Sequence, residues 1–167
     1  MGRSNSATEV HIRPAQPDDN PSVAAIIREV MTEFGAVGDN YSIADPEVDA
    51  MFEAYPGPDA AFFVVEQDGQ VLGCGGMGPL QAGPADVCEL RKMYFLPDLR
   101  GTGMGTKLLA VILDAARQAG YQRCYLETLG TMTGARKLYL KHGFEPMSSP
   151  LGSTGHSGCN AWMIRDL

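Results

Sequence analysis

Residues 100–105 read Arg-Gly-Thr-Gly-Met-Gly, and they join two stretches of different character. Residues 89–95 are rich in large apolar and aromatic side chains, and Pro97 has no N–H to give a ladder, so a strand must end near Leu96. Beyond the glycines, apolar side chains recur at 104, 108, 111, 112, 115, 116 and 119, the spacing of a helix with one buried stripe. Gly101, Gly103 and Gly105 therefore leave the main chain bare where a helix begins. Its first N–H groups have no intrahelical partner there, and the helix dipole is positive. A pyrophosphate fits such a place. Two common phosphate loops are excluded: Gly105-Thr106-Lys107 has the wrong order and spacing for a nucleoside-triphosphate loop, and the glycines do not follow Gly-x-Gly-x-x-Gly.

Three further residues carry chemistry. Glu89 and Glu127 each lie in an apolar segment read as a strand, where burial would lift a carboxyl pKa toward neutrality and make it a base. Tyr139 lies on a segment read as a helix, and a phenol can donate a proton to a departing group. Each also has a plainer reading, as a carboxylate bonded within the sheet or as a core aromatic. No Ser or Cys stands in an arrangement that suggests a covalent intermediate, so direct attack in a ternary complex is favoured. His11, His142 and His156 lack metal-ligand spacing, and no metal is expected.

Arg-Gly-x-Gly-x-Gly after a strand ending Tyr-Phe-x-Pro resembles the acetyl-coenzyme A signature of the GNAT superfamily of N-acetyltransferases. Residues 125–128 (Tyr-Leu-Glu-Thr) and 135–145, with Leu138-Tyr139 and Gly143-Phe144, resemble that superfamily's next strand and helix, so the likeness spans roughly residues 87–146. The resemblance implies an α/β fold: a mixed, strongly twisted sheet of six to seven strands flanked by about four helices. It implies acetyl-coenzyme A as co-substrate. Main-chain groups of Gly101, Thr102, Gly103, Met104, Gly105 and Thr106, with Arg100, would hold the pyrophosphate. Met93, Tyr94 and Phe95 would offer main-chain contacts to the pantetheine arm. By the same likeness Tyr139 protonates the coenzyme sulfur, and Glu127, twelve residues earlier, or Glu89 is the base, directly or through a water. Glu33, Phe34 and Tyr41 become candidates for the acceptor site. Many members hold the pantetheine with an asparagine seven residues before the tyrosine; here that position is Met132, and Thr131 or Thr133 is left to replace it.

The acceptor implied is the amine of a small molecule such as an amino acid or polyamine. The alternatives are a protein or peptide amine, or a catalytically silent acyl-coenzyme A sensor. A homodimer would be unsurprising.

The elements that must position these residues can be read in order. Residues 1–8 are expected to be a flexible leader and 9–167 a single domain. Residues 10–13 alternate as a strand, and residues 17–20 mark a turn and N-cap for a helix over 21–34. A second short helix is expected over 45–54. Residues 61–66 and 70–77 form a hairpin about Asp68-Gly69, with Gly73, Gly75 and Gly76 thinning the return strand. Two successive polar residues, Arg91 and Lys92, break the period of two in the central strand and predict a bulge. A strand over 123–128, a helix capped by Thr131 or Thr133 and running to 141, and a last strand over 160–164 complete the chain. The loop over 150–158 is read as mobile with His156 incidental; the alternative is that His156 and Cys159 face the acceptor.

At 167 residues with 44% hydrophobic content the chain suits one core. A formal charge of −7 disfavours a dedicated nucleic-acid binder and favours a cationic acceptor. No apolar run reaches the length of a membrane span, and a cytoplasmic location is expected. Cys74, Cys88, Cys124 and Cys159 form no Cys-x-x-Cys pair and read as free thiols.

Overall fold

The computed structural model describes residues 9–167, so the leader expected over residues 1–8 lies outside it. Seven strands form one sheet: β1 (Val10–Pro14), β2 (Ala61–Gln67), β3 (Gln70–Pro79), β4 (Val87–Phe95), β5 (Arg123–Thr128), β6 (Glu145–Met147) and β7 (Ala161–Asp166). Their order is β1-β2-β3-β4-β5-β7-β6. Every neighbouring pair is antiparallel except β4 with β5, and that parallel step requires a crossover. The crossover is α2 (Met104–Gln118). The other α-helices are α1 (Asn20–Glu33) and α3 (Thr133–Lys141).

The sheet is covered on both faces because β2 alternates. Val64 packs with α1 residues Val23, Ile26, Ile27 and Val30, while Val65 packs with α2 residues Leu108, Leu109 and Ile112. Each of those fully buried α2 side chains contributes roughly 1.5–3 kcal/mol relative to exposure. The hairpin turn takes left-handed backbone at both Asp68 (φ 50°) and Gly69 (φ 81°), the primed geometry expected of Asp-Gly. In β3 a side chain on Gly76 would run into the Ala61 carbonyl oxygen, so this close approach admits only glycine.

Three local expectations give way. The helix expected over 45–54 is a 3-10 turn, Pro46–Ala50, preceded by another at Ser42–Ala44. Here Asp45 and Glu47 are drawn to Lys92, and this tertiary pull overrides helical preference. Asp19 stands at the N-cap of α1, but its carboxylate accepts from the Arg13 guanidinium (2.8 and 2.9 Å) and the Gln16 amide (2.7 Å). Neither Thr131 nor Thr133 caps α3, whose N-cap is Met132 without a side-chain bond.

Candidate active site

Gly101 (φ 73°) and Gly103 (φ 84°) adopt left-handed backbone, which lets the chain turn from β4 into α2. Among the described residues, the six main-chain N–H groups from 101 to 106 donate to no main-chain carbonyl, and the first α2 bond runs from Lys107 to Gly103. The row of bare amides at a helix start is thus in place. It opens on a cavity of about 500 Å³ lined by Gly101, Gly103, Gly105, Thr106, Thr133 and Leu138, among others. Met104 is buried in the core, the Thr102 hydroxyl donates to the Leu99 carbonyl (2.6 Å), and neither residue lines the cavity. The Thr106 hydroxyl is paired with the His142 ring (3.2 Å).

Arg100 lines this cavity but is not free. Its guanidinium forks onto Glu33 (2.7 and 2.6 Å), donates to the Phe95 carbonyl (3.0 Å) and lies over the Phe34 ring at 5.8 Å. Glu33 and Phe34 therefore stand at the mouth of the larger cavity, on the side of the glycine loop. Tyr41 sits elsewhere, against Gly158 of the β6–β7 loop.

β4 and β5 pair only from Val87–Arg123 to Glu89–Tyr125 and then part. The parting coincides with the bulge: Lys92 has φ 51°, and the register against β3 slips between Cys74 and Gly76. A bulge bends its strand and re-aims its side chains. Lys92, its side chain 2% exposed, is turned under the 42–50 segment, where its ammonium pairs with Asp45 (2.7 Å) and Glu47 (3.0 Å). Met93 and Tyr94 line the gap, and Phe95 borders the larger cavity.

In the gap between the strands is a second cavity of about 60 Å³. Met93, Tyr94, Met132, Ala135 and Tyr139 line both cavities, so the two meet at Tyr139. Tyr139 stacks edge-on to Phe144, and burial raises its phenol pKa, so at neutral pH it keeps its proton and can only donate it. Thr133, not Thr131, borders the larger cavity next to Met132.

The smaller cavity is lined by charge. Burial raises the pKa of Glu89, and the Arg91 guanidinium (2.6 Å) works against that rise. Glu127 accepts from the Tyr125 hydroxyl (2.5 Å) and from the Thr154 hydroxyl. The His156 ring bonds both Asp45 oxygens through Nε2 (2.8 and 2.9 Å), and this bond raises its pKa. A ring nitrogen of His156 and one oxygen each of Glu89 and Glu127 lie within 4.8 Å of one another. These are cation-binding donor types, but His156 is held by Asp45 and Glu89 by Arg91, so the three are not free to act together as metal ligands. The trio is therefore suited to holding and passing a proton. Burial pushes the Cys159 thiol up to about 12, which leaves it without a thiolate to act as nucleophile.

Glu89, Glu127 and Tyr139 are thus brought to one cavity, and the glycine loop with residues 93–95 to the cavity adjoining it. The sequence reading left out Asp45 and Lys92 as site residues and set His156 and Cys159 aside, yet the last two line the smaller cavity. The loop holding His156 and Cys159 is tied to the segment around residues 40–45: Gly158 donates to the Asn40 carbonyl (3.0 Å), and His156 clasps Asp45. Only Lys92 left a signal, as the second polar residue of the broken alternation.

Comparison with known proteins agrees with this geometry. Residues 23–144 match the model of a family described as the acetyltransferase (GNAT) family. The chain is 45% identical over 150 residues to an uncharacterized N-acetyltransferase, YjgM, of Escherichia coli (strain K12), covering 89% of this chain and 90% of that one. Its backbone is similar to an acetyltransferase of the GNAT family from Staphylococcus aureus Mu50 (TM-score 0.78, 16% identity, covering 95% of this chain and 99% of that one). It is also similar to YncA from Salmonella typhimurium, a putative acetyltransferase with acetyl-CoA as its cofactor (TM-score 0.77, 20% identity, 95% and 94% covered).

Proposed function

Because the chain belongs to the acetyltransferase (GNAT) family and so is an N-acetyltransferase drawing on acetyl-coenzyme A, we propose that it acetylates the amine of a small molecule by direct attack in a ternary complex. The observation that carries this reading is the junction of the two cavities at Tyr139. One cavity is mostly apolar and opens on free amides, as a pantetheine with its diphosphate requires. The other is smaller and lined by charged side chains, as an amine acceptor requires.

In this reading residues 101–106 take the diphosphate on their amides, and the splayed edge of β4 at residues 93–95 lies along the pantetheine. The thioester then reaches Tyr139. The acceptor nitrogen, freed of its proton by Glu127, Glu89 or a water between them, attacks the carbonyl carbon. The C–S bond breaks, and the Tyr139 phenol gives its proton to the departing sulfur. His156 joins the candidates for the base: with Nε2–H bonded to Asp45, the neutral ring keeps its lone pair on Nδ1. No helix among the described residues is long and apolar enough to cross a membrane.

The test is release of coenzyme A thiol from acetyl-coenzyme A with a panel of small amines and, beside it, of peptides. Turnover confined to peptides, or none with any acceptor, would overturn the proposal. Tyr139→Phe should lower kcat by on the order of 100-fold while leaving coenzyme A affinity within about twofold. Equal losses of both would make Tyr139 a packing residue.

A further inference from the structure

The charged groups around the smaller cavity are not interchangeable, because most are already matched within the protein. Of its lining residues, only Arg91, Lys92 and His156 can carry positive charge. Arg91 is fixed by Glu89, by the Pro79 carbonyl and by the Tyr55 ring beneath it (5.9 Å). Lys92 is fixed by Asp45 and Glu47, and His156 by Asp45. Glu127 is different: both its oxygens accept hydroxyls, but among the described residues no cation lies within ion-pair distance of it. A carboxylate has about four acceptor sites, so two remain for a ligand. The lining itself carries two carboxylates, Glu89 and Glu127, while Asp45 and Glu47 stand outside it as partners of Lys92 and His156; of these four, Glu127 alone has no cation matched to it among the described residues.

Resting on the reading of the chain as a small-molecule N-acetyltransferase, we infer that its acceptor is a cationic amine with no carboxylate next to the nitrogen, bound as its ammonium at Glu127. The chemical class is that of decarboxylated amino acids and short diamines. An α-amino acid would carry its carboxylate two bonds from the nitrogen. That group would enter a cavity whose cations are all engaged and whose remaining charge is negative. Like charges about 5 Å apart in a site of intermediate dielectric disfavour one another by on the order of 100-fold in affinity.

The experiment uses matched pairs that differ only in the carboxylate: ethanolamine and serine, histamine and histidine, tyramine and tyrosine, putrescine and ornithine. The amides of the same amino acids keep the size and remove the charge. With acetyl-coenzyme A saturating, thiol release should give kcat/KM about 100-fold higher for the amine than for its amino acid, and the amide should recover most of the difference. Calorimetry with coenzyme A bound should show the amines binding and the amino acids failing to bind. In the same calorimetry, which reads binding and not turnover, Glu127→Gln should weaken the amines at least tenfold; amines bound as tightly by the variant as by wild type would overturn the placement of the ammonium at Glu127. Amino acids turned over as well as or better than their amines would overturn the inference while leaving the acetyltransferase reading intact. So would amides as poor as the acids. If no acceptor of either kind releases thiol, the parent reading fails, and this inference with it.

Discussion

Lys92→Met removes the cation on which the 42–50 segment rests. The ammonium is almost wholly buried, with Asp45 at 2.7 Å and Glu47 at 3.0 Å. Burial by itself would lower the pKa of Lys92, but its neighbours outweigh burial and the pKa ends above its ordinary value, so the group is charged at any working pH. Taking one partner from a fully buried ion pair costs about 3–5 kcal/mol, because the other is left uncompensated. Here Asp45 and Glu47 are 20% and 32% exposed, and Asp45 keeps His156, so water and the histidine recover part of that cost. The expected loss is about 2–3 kcal/mol, or about 5–10 °C in Tm for a domain of this size. Thermal unfolding followed by circular dichroism measures it. Lys92 does not line the larger cavity, so affinity for coenzyme A, read by calorimetry, should stay within about twofold while acceptor KM rises. A Tm loss under about 2 °C would refute the argument that the buried ammonium organises this segment. A coenzyme affinity that fell as far as acceptor affinity would refute the separation of the two cavities.

Further expectations follow from single contacts. The folded pKa of His156 lies above its ordinary 6.5, so the stability it contributes is fully present below about pH 6.5 and is lost as pH rises through the raised value. The pKa of Asp45 is held below 3.8, so the same pair fades again in strong acid. Melts of wild type and His156→Gln should therefore differ most between about pH 4 and 6.5 and converge toward pH 9; a gap independent of pH would count against the pair. Gly103→Ala meets no atom within 4 Å of the new Cβ, so its cost is left-handed backbone alone, about 1–2 kcal/mol, with weaker coenzyme binding. Unchanged Tm and coenzyme Kd would show that the loop does not depend on this geometry. Glu33→Gln should free the Arg100 fork and tighten coenzyme A binding a few-fold in calorimetry; weaker binding would mean that Glu33 holds Arg100 where the coenzyme needs it.

Much of the fold is legible in the chain because its signals are local. Apolar spacing from 104 to 119 and Asp68-Gly69 specify a helix and a hairpin through neighbours in sequence, and the broken alternation at Arg91-Lys92 announces the bulge. The expected helix over 45–54 fails where local preference is weak and a distant charge decides. Asp45 is 47 residues from Lys92 and 111 from His156, separations that no periodicity can report.

The same division runs through the candidate site. The row of free amides at 101–106 is a property of six consecutive residues and of the helix they begin, so composition and spacing alone determine it. The smaller cavity belongs to no segment: residues 45, 89, 92, 127 and 156 meet only because β4 and β5 part and two loops close over the gap. Which of its charges are matched, and which one is left for a ligand, depends on distances of a few ångströms between groups far apart along the chain. Coulomb and hydrogen-bond energies fall off over that range, so only the tertiary structure could decide it.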